Sequence, residues 1–202
     1  MKPKLTMYKM YHHWKTIHNH RKWVCHYCFL AGIPWRGITH DLSKYNPIEF
    51  FESARYYTGT SSPINEAKKE QGFSRAWLHH RGRNSHHWAY WTDNYSEGFT
   101  SYLMPKKDFV EMVCDFLAAA CAYNSDSSFI FDRENKWWQQ ERDKSCKAMN
   151  EANKKMLDIL FSDFDKAENP NAYGLNSNMV IEPEKLIKNG YIQLIYDINK
   201  YS

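Results

Sequence analysis

The dipeptide His40-Asp41, followed by Lys44 in the run His-Asp-Leu-Ser-Lys, sets an imidazole beside a carboxylate. Adjacent residues of these types can offer one nitrogen and one oxygen to the same point. That donor pair suits a divalent cation of hard to borderline character. Upstream, His20 stands four residues before Val24, at the edge of a helical apolar stripe. Downstream, Asp115 sits within Val113-Cys-Asp-Phe-Leu-Ala-Ala-Ala-Cys-Ala122. A carboxylate in such a run is costly to bury unless it is paired or coordinates a metal. Between them runs His79-His80-Arg81-Gly82-Arg83-Asn84-Ser85-His86-His87. It combines a dense set of imidazoles with two guanidinium groups. Metal ligands beside fixed positive charge are what phosphoryl recognition requires.

The ten histidines all lie at or before position 87, a bias that uniform scatter does not produce and that points to a metal site. Within the set there are competitors. His18 and His20 are two residues apart on one predicted helix, so both cannot face one ion. His20 is favoured because it flanks Ile17 and Val24. His79 competes with His80 in the same way. His12, His13 and His26 read as surface or packing residues. Lys44 also fits a solvated helix-end cation, and Arg81 and Arg83 fit ordinary surface charges. Cys25-His-Tyr-Cys28 lacks the second pair that a structural zinc site needs.

These residues need helices to position them, and the pattern is helical nearly throughout. Trp14, Ile17, Val24, Cys28 and Ala31 recur at helical spacings, and Gly32 and Pro34 end that segment. A short helix is predicted near 38–44. Asn46-Pro47-Ile48-Glu49 reads as the next start: an N-cap, a proline at the first helical position and a capping-box glutamate. Further helices are expected from Ile64 to about Gly72, from the Ser74 cap to Arg81-Gly82, and over 106–123. A loop is expected over 124–131 and a long charged helix over 134–164. The stretch 95–104 has no clean period. Tyr191-Ile-Gln-Leu-Ile-Tyr196 reads as a strand candidate. The expected organisation is an all-α helical domain over 1–165 with a C-terminal appendage over 166–202.

Composition narrows the class. The chain has 202 residues, 43% hydrophobic and 25% charged, within the range of one globular domain. Mean hydropathy is −0.75, and no apolar run is long enough to span a bilayer. Met1-Lys-Pro-Lys-Leu-Thr6 has no apolar stretch behind it, which speaks against a secretory signal. Five cysteines without regular spacing fit reduced thiols, so a cytoplasmic location is expected. The net charge of +4 tolerates an anionic ligand without demanding nucleic acid.

The order His20, His40-Asp41, Asp115 on helices resembles the signature of the HD-domain metal-dependent phosphohydrolases. His-Asp-x-x-Lys, ending at Lys44, is similar to the HD branch that degrades cyclic dinucleotides. That branch adds a His and then a His-His pair, places that His80 and His86-His87 could fill. The Gly-Tyr-Pro segment of that branch is missing, so its substrate specificity does not carry over. The Trp77-Leu-His-His80, His86-His-Trp88 and Glu111-Met-Val-Cys-Asp115 runs also resemble a small bacterial and phage branch.

The resemblance implies an HD-like helical bundle and a metal-activated water that attacks phosphorus in a small phosphorylated substrate, most plausibly a nucleotide. It implies His20, His40, Asp41 and Asp115 around one ion and His80, His86 and His87 around a second, with Asp41 bridging. One to three ions of Mn, Fe, Zn, Ni or Mg are expected. Lys44, Arg81 and Arg83 would bind phosphoryl oxygens. Two rivals use the same residues differently: oxidation at a di-iron pair, and a non-catalytic module binding nucleotide or nucleic acid through Arg81, Arg83, Lys106 and Lys107. No membrane partner is expected, and the oligomeric state is not legible.

Overall fold

The computed structural model describes residues 3–95, 98–123, 137–144, 146–161 and 183–201, and over these the chain is all-α with one small hairpin. Helix α1 (Met7–Leu30) starts at Thr6, whose side chain accepts from Lys9 N, and buries Ile17, His20, Val24, Tyr27 and Cys28 along one stripe. Gly32, at φ +73°, turns the chain into α2 (Pro34–Thr39). The two helices meet at Gly37, where an added Cβ would lie 2.7 Å from the Cys28 Cβ and 2.9 Å from the Cys25 Cα. No larger residue fits there without moving α2 off α1.

The expected helix over 38–44 is instead a break. Helix α2 stops at Thr39, and a 3₁₀ turn runs from Leu42 to Tyr45. His40 and Asp41 occupy the corner between them. Asp41 adopts φ 55° and ψ 24°, the only left-handed conformation of a non-glycine residue among the described residues. Such backbone strain persists where the surroundings over-determine it, often at functional sites. Here Arg21 of α1 pins the corner, donating from Nε to the His40 carbonyl at 2.7 Å and from Nη2 to the Ile38 carbonyl at 2.8 Å.

Helix α3 (Pro47–Tyr56) begins as the sequence predicts, with Asn46 accepting from Ile48 N. Glu49 is not a capping-box residue, however. It is buried and turned towards histidines of α5. Helix α4 (Pro63–Gln71) ends at Gly72. Helix α5 (Arg75–Arg81) is capped by Ser74 and tied to α3 through Glu52, which accepts from Ser74 Oγ and Arg75 N. The aperiodic stretch 95–104 holds β2 (Gly98–Ser101), which pairs antiparallel with β1 (Thr92–Tyr95) just before it. Helix α6 (Lys106–Tyr123) has its predicted bounds.

The expected 124–131 loop lies outside the described residues. The long helix over 134–164 is two helices, α7 (Trp137–Lys144) and α8 (Glu151–Phe161), with Cys146–Asn150 non-helical between them. Asn150 favours a cap over a helix interior, accepting from Ala152 N and donating to the Ser101 carbonyl. Beyond α9 (Pro183–Lys188), the strand candidate is helix α10 (Tyr191–Asn199). Ile192, Ile195, Tyr196 and Asn199 recur at helical spacing on its buried side, and packing overrides local β-propensity. The core joins Val24, Phe109, Leu117, Leu157 and Trp138 with Ile187, Ile192 and Ile195, so the described part of 166–202 packs on the same core. No helix among the described residues is long and apolar enough to cross a membrane.

Candidate metal centre

Five separate parts of the chain bring side chains to one buried point. α1 supplies His20, the α2 corner His40 and Asp41, α5 His80, the following turn His86 and His87, and α6 Asp115. His40, Asp41, His80 and His86 are each no more than 2% exposed. Three groups, Asp41 with His80, His86 and His87, His20 with His40 and Asp41, and His40 with His86 and Asp115, have ligand atoms within 4.8 Å of one another. Bonds of about 2.0–2.2 Å to a common ion would put opposed donors about 4–4.4 Å apart, so a small contraction closes each group.

The two oxygens of Asp41 face different histidines. Oδ1 lies 3.2 Å from His80 Nε2 and 3.4 Å from His86 Nε2, while Oδ2 lies 3.2 Å from His40 Nε2 and 3.8 Å from His20 Nε2. Asp115 divides in the same way. Its Oδ1 is 2.9 Å from His20 Nε2 and 3.7 Å from His40 Nε2, and its Oδ2 is 3.8 Å from His86 Nε2. Close as they are, the Nε2 atoms of His20, His40, His86 and His87 and Oδ1 of Asp41 are buried without a hydrogen-bond partner of acceptable geometry, while Asp41 Oδ2 is met by Lys44 Nζ. Buried polar atoms left in this state are rare, and a place for a bound ion is one of the few explanations. The donors therefore fit a divalent cation.

A second layer fixes the rings. His40 Nδ1 and Glu111 Oε1 are 2.9 Å apart, and His86 Nδ1 lies 3.2 Å from the same oxygen. Glu111 Oε2 accepts from Arg36 Nε at 2.5 Å. Arg36 also donates to Asp108, which accepts from Ser85 Oγ. On the other side, Glu49 takes His80 Nδ1 at 2.8 Å, His79 Nδ1 at 2.5 Å and Ser43 Oγ at 3.1 Å. A carboxylate on Nδ1 holds Nε2 towards the centre and raises its basicity, the arrangement found behind metal-binding histidines.

The electrostatics follow from this packing. Burial disfavours charge on every member. For His40 the Asp41 carboxylate outweighs burial and raises the imidazole to about 10. His80 is also raised, again against burial and through Asp41. Burial pushes His20 down, and burial with the neighbouring His86 and His80 holds His87 well below its ordinary value. Asp41 and Asp115 stay ionised despite burial, the first through His40 and Lys44, the second through His20. Glu111 is held near 2 against burial by its hydrogen bonds to His40 and His86.

The chain falls within a known family: the model of DUF5662, a family of unknown function, matches residues 9–163. The chain belongs to DUF5662. The matched span of this DUF5662 member contains every converging residue. No curated protein and no solved structure matches it.

The structure separates the competing candidates. His18 is exposed and stacks on Trp14, whereas His20 enters the centre. His79 stands behind Glu49, whereas His80 enters the centre. Lys44 reaches Asp41 Oδ2 with its Nζ at 2.5 Å. Arg83 is exposed and donates to the His79 carbonyl, and neither it nor Arg81 lines the cavity beside the centre. Lys106 is paired with Asp197 and Lys107 is exposed. All five cysteines are thiols outside any disulfide.

Sequence reasoning missed Glu49, Glu111, Asp108 and Arg36. The spacing of Asp108, Glu111 and Asp115, at i, i+3 and i+7, was the available signal: one carboxylate stripe along an otherwise apolar helix. It also missed His13, seven residues before His20 on the same helix face and bordering the cavity of about 250 Å³ next to the centre.

Proposed function

We propose that this DUF5662 chain is a metal-dependent phosphohydrolase, acting on a small phosphorylated substrate at a centre of two divalent cations. One cation would be held by His20, His40, Asp41 and Asp115, and another by His80, His86 and His87 with Asp41. The observation that carries the reading is the gathering around Asp41 of the buried Nε2 atoms of His20, His40, His86 and His87, none with a hydrogen-bond partner of acceptable geometry. The resemblance to HD-domain phosphohydrolases supports it.

Divalent cations in such a site polarise phosphoryl oxygens and supply a hydroxide nucleophile at neutral pH. The protein groups do the rest. Asp41 and Asp115 provide the negative charge that holds the cations. Glu111 and Glu49 fix the tautomers of His40 and His80, so that Nε2 carries no proton when it binds. Lys44, beside Asp41 and on the cavity wall, is placed to meet a phosphoryl oxygen and offset the charge that develops on it. Manganese, iron, zinc, nickel and magnesium all accept such donors, and a set rich in imidazole favours iron, zinc and nickel over magnesium.

The test is turnover of a panel of phosphate monoesters and nucleotides by protein loaded with each metal. Release of phosphate that is lost in His40→Ala supports the reading. A chain that binds metal and hydrolyses none of the panel contradicts it.

A second reading is oxidation of a small organic substrate at a di-iron pair formed by the same ligands. The aliphatic wall of the adjoining cavity, with Ile17, Ile64 and Ala119, favours it. Oxygen consumption by the iron-loaded chain, with phosphate esters left intact, decides for this reading.

A further inference from the structure

The cavity next to the centre has one polar end and one apolar end. Asp115, His20, His80 and Lys44 form the end at the metal ligands. The rest of the wall comes from α1, α3, α4, α5 and α6, and includes Ile17, Pro63, Ile64, Ala76 and Ala119. The polar groups on that wall are largely occupied with one another. Thr16 Oγ1 donates to the His12 carbonyl at 3.0 Å, which leaves it to accept from the Tyr57 hydroxyl at 3.2 Å. His13 is 7% exposed, and its buried Nδ1 has no partner among the described residues.

Two magnitudes restrict the occupant. The volume of about 250 Å³ lies below the roughly 300–1,000 Å³ of sites that enclose drug-sized ligands. Among the described residues that line the cavity, Lys44 is the sole lysine or arginine. A second anionic group carried into the apolar end would meet no countercharge there, and an unpaired buried charge is strongly disfavoured.

We propose that this cavity is the binding pocket for the body of the substrate, and that it selects small molecules with one anionic head and an uncharged, mainly apolar body. The head sits at Lys44 and the metal ligands. The body packs against Ile17, Ile64 and Ala119, and His13 is the polar group available to a hydroxyl or carbonyl on it. The choice of a phosphoryl head rests on the proposed hydrolytic function; the pocket itself does not. Nucleoside di- and triphosphates are excluded by charge and by size.

The test is calorimetric titration of the metal-loaded full chain with phenylphosphonate, inorganic phosphate and ATP, with Ile64→Asp and the milder Ile64→Ser in parallel. Metal content and circular dichroism confirm that each variant is loaded and folded. Phenylphosphonate is expected to bind at least tenfold more tightly than phosphate, with ATP no tighter than phosphate. In both variants the advantage of phenylphosphonate over phosphate should shrink towards unity. Equal affinities for phenylphosphonate and phosphate, tighter binding of ATP, or no binding by any of the three would overturn the pocket. Hydrolysis of phenyl phosphate by the same preparation separates the two claims. Selective phenylphosphonate binding without hydrolysis keeps the pocket and removes the hydrolytic reading. Hydrolysis of ATP in preference to phenyl phosphate does the reverse.

Discussion

The two faces of α6 are buried for opposite reasons. One carries Val110, Val113, Leu117 and Cys121 into the core shared with α1, α8 and α10. The other carries Asp108, Glu111 and Asp115 towards the centre. Burying apolar surface is favourable in itself, at about 25 cal/mol per Å². Burying three carboxylates is not, and it holds only because Arg36, His40, His86 and His20 surround them. One face therefore stabilises the fold, and the other is tolerated by it. Structure and binding can be separated by mutation along this one helix.

The sharpest break is Asp115→Ala. It removes a carboxylate whose two oxygens face both halves of the centre, and metal affinity should fall by more than about 100-fold, the upper end of effects from partners behind the ligands. Metal-free stability should fall less than metal affinity, because losing the contact with His20 is offset by removing a carboxylate that is costly to bury beside Asp41. Leu117→Ala, on the opposite face, should do the reverse. It should cost about 2–5 kcal/mol in chemical denaturation and leave the metal content unchanged. If Asp115→Ala unfolds the chain while Leu117→Ala strips its metal, the division between the faces is wrong.

Glu111→Gln sharpens the comparison, since one glutamate oxygen serves rings from both halves. A loss of about 10–100-fold in metal affinity is expected, for both ions together. The same residue sets a pH dependence. Its carboxyl is held near 2 in the folded chain, below its ordinary 4.5. The stability it contributes is therefore present above pH 4.5 and is lost as the pH falls towards 2. Acid titration of the metal-free protein should show that loss, and Glu111→Gln should flatten it. The smallest effect is expected from Arg83→Ala, an exposed residue outside the cavity lining: within about 0.5 kcal/mol in stability, with no change in metal content. A marked fall in turnover of a phosphate ester would instead place Arg83 at the mouth of the site.

Much of the cluster was legible because its histidines and aspartates are chemically conspicuous. His40-Asp41, the histidine-rich run and Asp115 stand out by type, and the helical phase of His20 follows from Ile17 and Val24. The carboxylates behind the histidines were not legible in the same way. Glu49 sits where a capping box would place it, and a local pattern offered a local role before the contact 31 residues away with His80. Arg36 acts through contacts with Asp108 and Glu111, more than 70 residues on. The all-α fold followed from periodicity. Where it failed, in α10 and in the division between α7 and α8, tertiary packing or a capping asparagine outweighed local preference. The strained corner at Asp41 had only a weak signal, since Thr-His-Asp-Leu carries neither glycine nor proline and Asp is merely more tolerant of positive φ than most residues.

The central claim is that side chains from α1, the α2 corner, α5, the turn after it and α6 hold divalent cations. Equilibrium dialysis of the full chain against Mn²⁺, Fe²⁺ and Zn²⁺, followed by elemental analysis, tests it directly. The account predicts two ions per chain, with both reduced in Asp41→Ala. A wild-type chain that stays metal-free with all three ions would contradict it.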